Sequence, residues 1–438
     1  MRDLTRRSDG RAAADTLLWL SLLVVAGVLA HRAFGTWWAV PAFALYGTLY
    51  GSACDARWHE CGHATAFRAR WPNTAVYHLA SLMAMREPVS WRWSHTRHHD
   101  DTIVVGRDKE IAVKRPTPLW RLGLEFVGVF SVLAELRKLR WNLVGRLDPE
   151  DADFVPESER AAAVRSGRVM VVLLLAPPAA AIAFGSAEPL LFAGVLPSMY
   201  GRWLLVVYGL TQHAGLAEDV LDHRLNTRSV RMNAVNRFLY SNMNFHVEHH
   251  MFPTVPYHRL PALHATIRDD LPPMYEGILA AYREIVPALR RQSKDPTYHV
   301  ERPIPAGAVE ARRGVGATTT SLAADVVLDG GWLDDGWLDV GDAGIVPPGR
   351  MRSVEVDGTA YALFHTADDR WYATDAACTH GRAPLTDGHF DGSIVECPKH
   401  NGRFDVSTGR ALGAPALVDL RCHEVRLAGT RVHLRPRS

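Results

Sequence analysis

Cysteine is scarce in this chain, with five in 438 residues: Cys54, Cys61, Cys378, Cys397 and Cys422. So few, and an odd number, exclude a disulfide framework. An excess of either charge is missing too, with Lys+Arg 49 against Asp+Glu 47. That balance argues against a nucleic-acid binder, which carries a basic excess or a basic stripe. No G-x-G-x-x-G follows a strand pattern, so no nicotinamide- or flavin-binding segment is expected. What the chain does have is segregated apolar runs and 21 histidines, many of them in clusters.

The apolar residues bunch into four stretches, at about 16–34, 37–53, 169–185 and 189–210. Each is near the ~20 residues that a spanning helix needs, and they form two hairpins. Trp37 and Trp38 stand at the head of the second stretch, as interfacial residues do. Pro177 and Pro178 interrupt the third, and a buried core hairpin is the alternative for this second pair. Arg2, Arg6, Arg7 and Arg11 precede the first stretch, which favours a cytoplasmic N-terminus. Four spans then place both termini and residues 54–168 on that same side. Within this segment, Leu119 to Ala134 is apolar but carries Arg121 and Glu125, so it reads as an interfacial helix. Arg202 falls inside the fourth stretch, where it either engages an anionic group or snorkels.

After residue 302 the pattern changes. Residues 303–330 gain Pro, Gly, Ala and Thr and read as a linker, which divides the chain into 1–302 and 331–438. The last part consists of short β-prone runs between Asp-Gly and Gly-rich turns, as in a small all-β domain.

Three histidine clusters flank the spans: His59-x3-His63, His95-x2-His98-His99 and His246-x2-His249-His250. An i, i+4 pair on a helix puts both imidazoles on one face. His213, at the end of the fourth stretch, lies where it can join the third cluster. Nine imidazoles are too many for one tetrahedral zinc, so two metals fit better, while ligand type alone does not choose among Fe, Zn and Cu. Glu60, Glu248, Asp100 and Asp101 are candidates to receive ring N–H bonds, and Asn242 to hold a metal-bound water. Isolated histidines, among them His223 and His264, read as structural.

The last domain contains Cys378-x-His380 and, sixteen residues on, Cys397-x2-His400. Two thiolates and two imidazoles at this spacing are the ligand set of a Rieske [2Fe–2S] centre. A zinc ribbon would use paired C-x2-C knuckles instead. Ala383 and Lys399 stand where respiratory Rieske proteins carry an extra disulfide, so the segment resembles the ferredoxin and ring-hydroxylating-oxygenase type. Its potential is expected toward the lower end of the roughly −150 to +300 mV Rieske range.

The three boxes, split by a membrane hairpin, resemble the integral-membrane fatty acid desaturases and hydroxylases over roughly Leu17 to Pro272. That resemblance implies a mainly α membrane protein, a four-helix transmembrane bundle under a cytosolic helical cap, followed by the all-β Rieske domain. It implies two irons held by the box histidines, with His213 as the additional ligand. It further implies O2-dependent oxidation of C–H bonds in a fatty-acyl or lipid substrate, in an integral membrane protein facing the cytoplasm. Electrons would pass through the fused cluster from a separate NAD(P)H-dependent reductase. The context QHAGLAEDVLDHRLNTR and HVEHHMFPTVPYHRLP is similar to rhizopine-catabolism oxygenases, which implies oxidation of a small N-methylated polar molecule as the alternative. A non-catalytic membrane redox carrier is a third reading.

Overall fold

The computed structural model describes residues 3–305, 326–327, 332–333, 336–356, 358–399, 402–412 and 416–437. Two compact units make up the chain, a helical one of Arg6–Met251 with Val255–Val309 and another consisting mostly of Glu310–Ser438. Most of the linker expected at 303–330, and His400, lie outside the described residues.

In the helical unit, α1 (Asp9–Ala33) starts at Ser8, whose side chain accepts from the Arg11 N–H at 3.3 Å. Asp9 in its first turn and His31 and Arg32 in its last complement the helix dipole. Then α2 (Ala39–Gly47) passes through a π-helical turn, Thr48–Ser52, into α3 (Ala53–Gly62), which carries the first histidine box. The second box lies on α4 (Pro88–Asp100), opened by Pro88 and by the Glu87 carboxylate, which accepts from the Val89 and Ser90 N–H groups at 3.0 and 2.7 Å. Next come α5 (Leu119–Glu125) and α6 (Val129–Leu143), which divide the expected interfacial helix at Gly128, held at φ +67°. The long α7 (Glu157–Phe184) continues through Pro177 and Pro178 and stops at left-handed Gly185. Finally α8 (Trp203–His213) ends at His213, and α9 (His246–Met251) holds the third box.

Among the described residues, three helical stretches are long and apolar enough to cross a membrane: Asp9–Ala33, Glu157–Phe184 and Glu188–His213. Leu17, Val24, Val169 and Val172 on the first two expose roughly two thirds of their surface, as lipid-facing residues do. These helices contain three of the four expected spans. The fourth, 37–53, differs, because its apolar run does not end at a helix terminus but is the stem of the helix bearing His59 and His63. It is held by close backbone packing: a Cβ on Gly201 would sit 1.9 Å from the Gly47 carbonyl, and one on Gly51 2.8 Å from the Pro197 carbonyl. Ser52 joins the same contact, donating to the Gly201 carbonyl at 2.5 Å and accepting from the Leu205 N–H at 2.9 Å. Arg202, at the head of α8, is half-buried against Glu125 at 3.6 Å and donates to Ser131 at 3.1 Å, so its charge is met within the chain.

The C-terminal unit is β-rich. Val326–Val327 (β1), Leu338–Asp342 (β2), Arg350–Val356 (β3), Thr359–His365 (β4) and Trp371–Asp375 (β5) are followed by three short strands. These are His389–Phe390 (β6), Ile394–Glu396 (β7) and Arg403–Asp405 (β8), and the long pair Cys422–Ala428 (β9) and Arg431–Arg435 (β10) closes the unit. One sheet runs in the order β1-β3-β4-β5-β9-β10-β2 and the other in the order β6-β7-β8. Phe364, Val395 and Phe404 are fully buried in one cluster that joins the two sheets, and Leu363 and Val432 in a second cluster formed by the larger sheet.

Candidate metal centres

The helical unit brings all nine predicted histidines together in two groups. His59, His63, His95, His99 and His249 form one, and His98, His213, His246 and His250 the other; within each, one ligand atom per residue lies within 4.8 Å of all the rest. The groups do not follow the boxes. On α4, His95 and His99 are one turn apart and enter the first group, while His98, rotated away, enters the second. The third box divides in the same way, and His99 and His250 stack across the boundary with ring centroids 4.4 Å apart.

The Nε2 atoms converge. His95 Nε2 is 3.1 Å from His63 Nε2 and 3.2 Å from His99 Nε2, and His99 Nε2 is 3.1 Å from His249 Nε2. In the second group His246 Nε2 lies 3.1 Å from both His213 Nε2 and His250 Nε2. Hydrogen bonding alone does not account for such crowding, because several of these rings carry their proton on the other nitrogen. His213 Nδ1 faces the Asn226 carbonyl at 2.9 Å and must donate to it. His98 Nδ1 donates to Asp108 at 2.8 Å and His95 Nδ1 to Glu110 at 3.1 Å. Thr102 gives its hydroxyl hydrogen to the His98 carbonyl at 2.6 Å, so its oxygen accepts from His250 Nδ1 at 3.0 Å. In each case the Nε2 lone pair is turned inward, as outer hydrogen bonds orient histidine ligands. Spacings of 3.1–3.2 Å also suit nitrogens about 2.1 Å from a shared cation.

Both nitrogens of His59, and Nδ1 of His99, His246 and His249, are buried without a hydrogen-bond partner. Such atoms are costly unless something absent from a bare polypeptide satisfies them. Burial, reinforced by the neighbouring histidines, holds His95, His99, His246, His249 and His250 well below the ordinary imidazole pKa, as neutral ligands. Burial also works against protonation of His98, but the charge and hydrogen bond of Asp108, with Glu110 behind, outweigh it and push that group up to about 9. The residues fit two metal ions.

Of the carboxylates expected to support the boxes, Glu60, Glu248 and Asp101 are placed otherwise. Glu60 is buried, but its nearer oxygen is 3.9 Å from His59 Nδ1, beyond hydrogen-bond length, and its other oxygen accepts from the Tyr257 N–H and Thr65 hydroxyl. Glu248 is bonded to Ser229 and to His264, a histidine outside the boxes. Asp101 pairs with Arg107 at 2.9 Å, and Asp100 is half-buried at the end of α4. Asn242 spends its amide on Arg237, at 2.8 Å, and on the Tyr257 carbonyl, at 3.0 Å, rather than on a metal-bound water. Asp108, Glu110, Thr102 and the Asn226 carbonyl do the orienting instead. The available clue was a D-x-E pair in the loop shortly after the second box.

In the β-rich unit Cys378 and Cys397 are buried in one apolar cluster with Leu385, Val395 and Phe404. The loops bearing them are set by backbone bonds from the Cys378 N–H to the Ala383 carbonyl, 2.9 Å, and from the Cys397 N–H to the Gly402 carbonyl, 2.7 Å. A Cβ on Gly402 would stand 3.7 Å from the Cys378 sulfur, so the loops face each other. His380 is half-buried on the first loop. All five cysteines are free thiols, as two cluster ligands must be before assembly.

A family model described as fatty acid desaturase matches residues 35–281, more than half of the chain. The chain belongs to the fatty acid desaturase family. A second model, the Rieske [2Fe-2S] domain, matches residues 336–424 of the same desaturase. Among curated proteins, the ferredoxin component of a naphthalene 1,2-dioxygenase system from Pseudomonas aeruginosa is 45% identical over 87 residues, 20% of this chain and 83% of that protein. The ferredoxin component of naphthalene 1,2-dioxygenase/salicylate 5-hydroxylase systems from Ralstonia sp is 42% identical over 90 residues, 20% of this chain and 86% of its own length. A solved ferredoxin of Sphingomonas yanoikuyae B1 is 34% identical and covers 23% of this chain and 98% of its own, with a TM-score of 0.22. The desaturase is therefore a non-haem di-iron oxidoreductase with histidine-rich metal sites, joined to a C-terminal Rieske electron-transfer domain.

Proposed function

We propose that this desaturase uses O2 to oxidise unactivated C–H bonds of a fatty-acyl or lipid substrate, by desaturation or hydroxylation. The observation that carries the reading is the pair of buried imidazole cages in a unit with membrane-length apolar helices. His59, His63, His95, His99 and His249 hold one iron, and His98, His213, His246 and His250 hold the other. Cys378, His380, Cys397 and His400 hold the [2Fe–2S] cluster. Together these groups supply dioxygen activation at the irons and one-electron delivery from the cluster. The chain's own part is to keep His95, His99, His246, His249 and His250 neutral, to fix inward nitrogens through Asp108, Glu110, Thr102 and Asn226, and to exclude water by burial.

In this reading residues 1–302 form the membrane domain, with α2 and its continuation as a fourth, shorter element of the bundle. Residues 303–330 are the linker and 331–438 the electron-transfer domain. The linker raises the local concentration of the electron donor to about millimolar. Both termini and the metal centres face the cytoplasm, where an NAD(P)H-dependent reductase supplies electrons. A small N-methylated polar substrate is the second reading, with hydroxylation of the methyl carbon followed by its loss as formaldehyde. It is favoured by the rhizopine-oxygenase-like context and by a small cavity of about 70 Å³ that reaches His98 and His213 between Asp108, Glu110, Arg115 and Glu218.

Mössbauer and EPR spectroscopy on anaerobically purified full-length protein test the metal assignment. About four irons per chain are expected, two of them in a Rieske cluster. Oxygen consumption driven by NADH and a ferredoxin reductase, with acyl lipids against N-methyl amines, then separates the two substrate readings. Zinc in the cages after iron-replete expression would sink both and leave a redox carrier.

A further inference from the structure

On α3 the two histidines share one face, Arg57 and Cys61 lie on the other, and Glu60 falls between them. Behind that second face is a cavity of about 270 Å³, lined by Arg11, Asp15, Arg57, Glu60, Arg237 and Tyr257 among others, and by no histidine of either cage. It adjoins the first cage only through Glu60, one of whose oxygens lies 3.9 Å from His59 Nδ1, and it opens where α1 begins, ahead of the apolar stretch of that helix.

Two of its groups are costly as they stand. Arg57 is only 6% exposed. It donates to the Ala53 and Leu239 carbonyls at 3.2 and 2.7 Å and packs over the Phe238 and Trp19 rings, but no carboxylate among the described residues lies within ion-pair distance. Glu60 is 2% exposed, and one of its carboxylate oxygens is buried with no hydrogen-bond partner. A buried cation without a counter-ion and a buried acceptor without a donor each cost several-fold more than a satisfied pair. Asp15 relieves neither, because it is held by Arg11 at 3.1 Å and by the Tyr257 hydroxyl at 2.6 Å. Ser241 and Asn242, in the cavity wall, are held at φ +47° and +53°, a conformation uncommon for non-glycine residues.

We propose that this cavity binds a phosphate monoester or diester bearing an ammonium group, with the phosphate against Arg57, Arg11 and Arg237 and the ammonium against Glu60. Three guanidinium groups suit a phosphate's several acceptor oxygens. A cavity below the usual ~300–1,000 Å³ of drug-sized sites suits a headgroup-sized ligand. The same chemistry occurs in an aminophospholipid headgroup and in a free phosphoethanolamine-like molecule. The site does not depend on what the metal centres oxidise.

The test uses the full-length, iron-loaded protein, with phosphoethanolamine as the probe and equilibrium binding as the readout. Saturable binding is expected, weakened about tenfold or more in R57Q, R11Q and E60Q. R11Q, at an accessible side chain, keeps the test decisive if R57Q does not fold. Nanodiscs containing phosphatidylethanolamine that abolish probe binding, where phosphatidylcholine nanodiscs do not, assign the site to the lipid headgroup. Undiminished binding in both assigns it to a free phosphate monoester. Absence of saturable binding, or equal binding by all three variants, overturns the proposal. Iron content measured on the same samples keeps this outcome distinct from failure of the di-iron reading.

Discussion

The helical unit gathers nine imidazoles from positions spread between 59 and 250, whereas the described ligand candidates of the β-rich unit, Cys378, His380 and Cys397, come from two short loops. The first site is a product of global packing, since the first cage draws on α3, α4 and α9 and the second on α4, α8 and α9. The second is a product of local loop geometry on a small sheet. The two sites should therefore fail in different ways, and that difference can be tested.

The largest effect is expected from ligand removal. H249A should lose the iron of the first cage and all O2-dependent turnover, while the Rieske EPR signal persists. C397S should do the reverse, abolishing the cluster signal and electron delivery while Mössbauer spectroscopy still detects the histidine-bound irons. If either variant lost both signals, the two sites would not assemble independently. Next, G201V forces a branched side chain into the Gly47 carbonyl and should destabilise the helical unit by about 3 kcal/mol or more, visible as a lower Tm and loss of cage iron, with the Rieske signal again intact. A smaller effect is expected for D108N, which weakens the orientation of His98 and should lower metal affinity roughly 10–100-fold, read by chelator competition. N242A should be the mildest, leaving iron content unchanged, because its amide serves Arg237 and Tyr257.

The same contrast explains what the sequence disclosed. Box membership was legible because an i, i+4 pair needs only one turn of helix to declare itself, and the Rieske ligands because C-x-H and C-x2-H occupy single loops. How the boxes exchange members was not legible, since the pairing of His98 with His213 and of His249 with His59 depends on packing across more than a hundred residues. The orienting groups Asp108 and Glu110 are not legible for a related reason: they lie in a loop after α4, where no helical spacing ties them to the histidines they serve. Glu60 and Glu248 are next to ligands in sequence but turn toward Tyr257 and His264. The apolar composition of 37–53 does not reveal where its helix ends, and here no terminus intervenes before the first box.

The π-helical turn at Thr48–Ser52 gives that uninterrupted rod an adjustable phase. A π turn accommodates one residue more than the α-helix it interrupts, so everything beyond it is rotated by about 100° relative to a regular helix. Shortening the chain by one residue at this point would leave the membrane stem in place and turn His59 and His63 out of the cage. Metal binding by the first box is thus set by a backbone insertion seven residues before His59, at a place that carries no ligand.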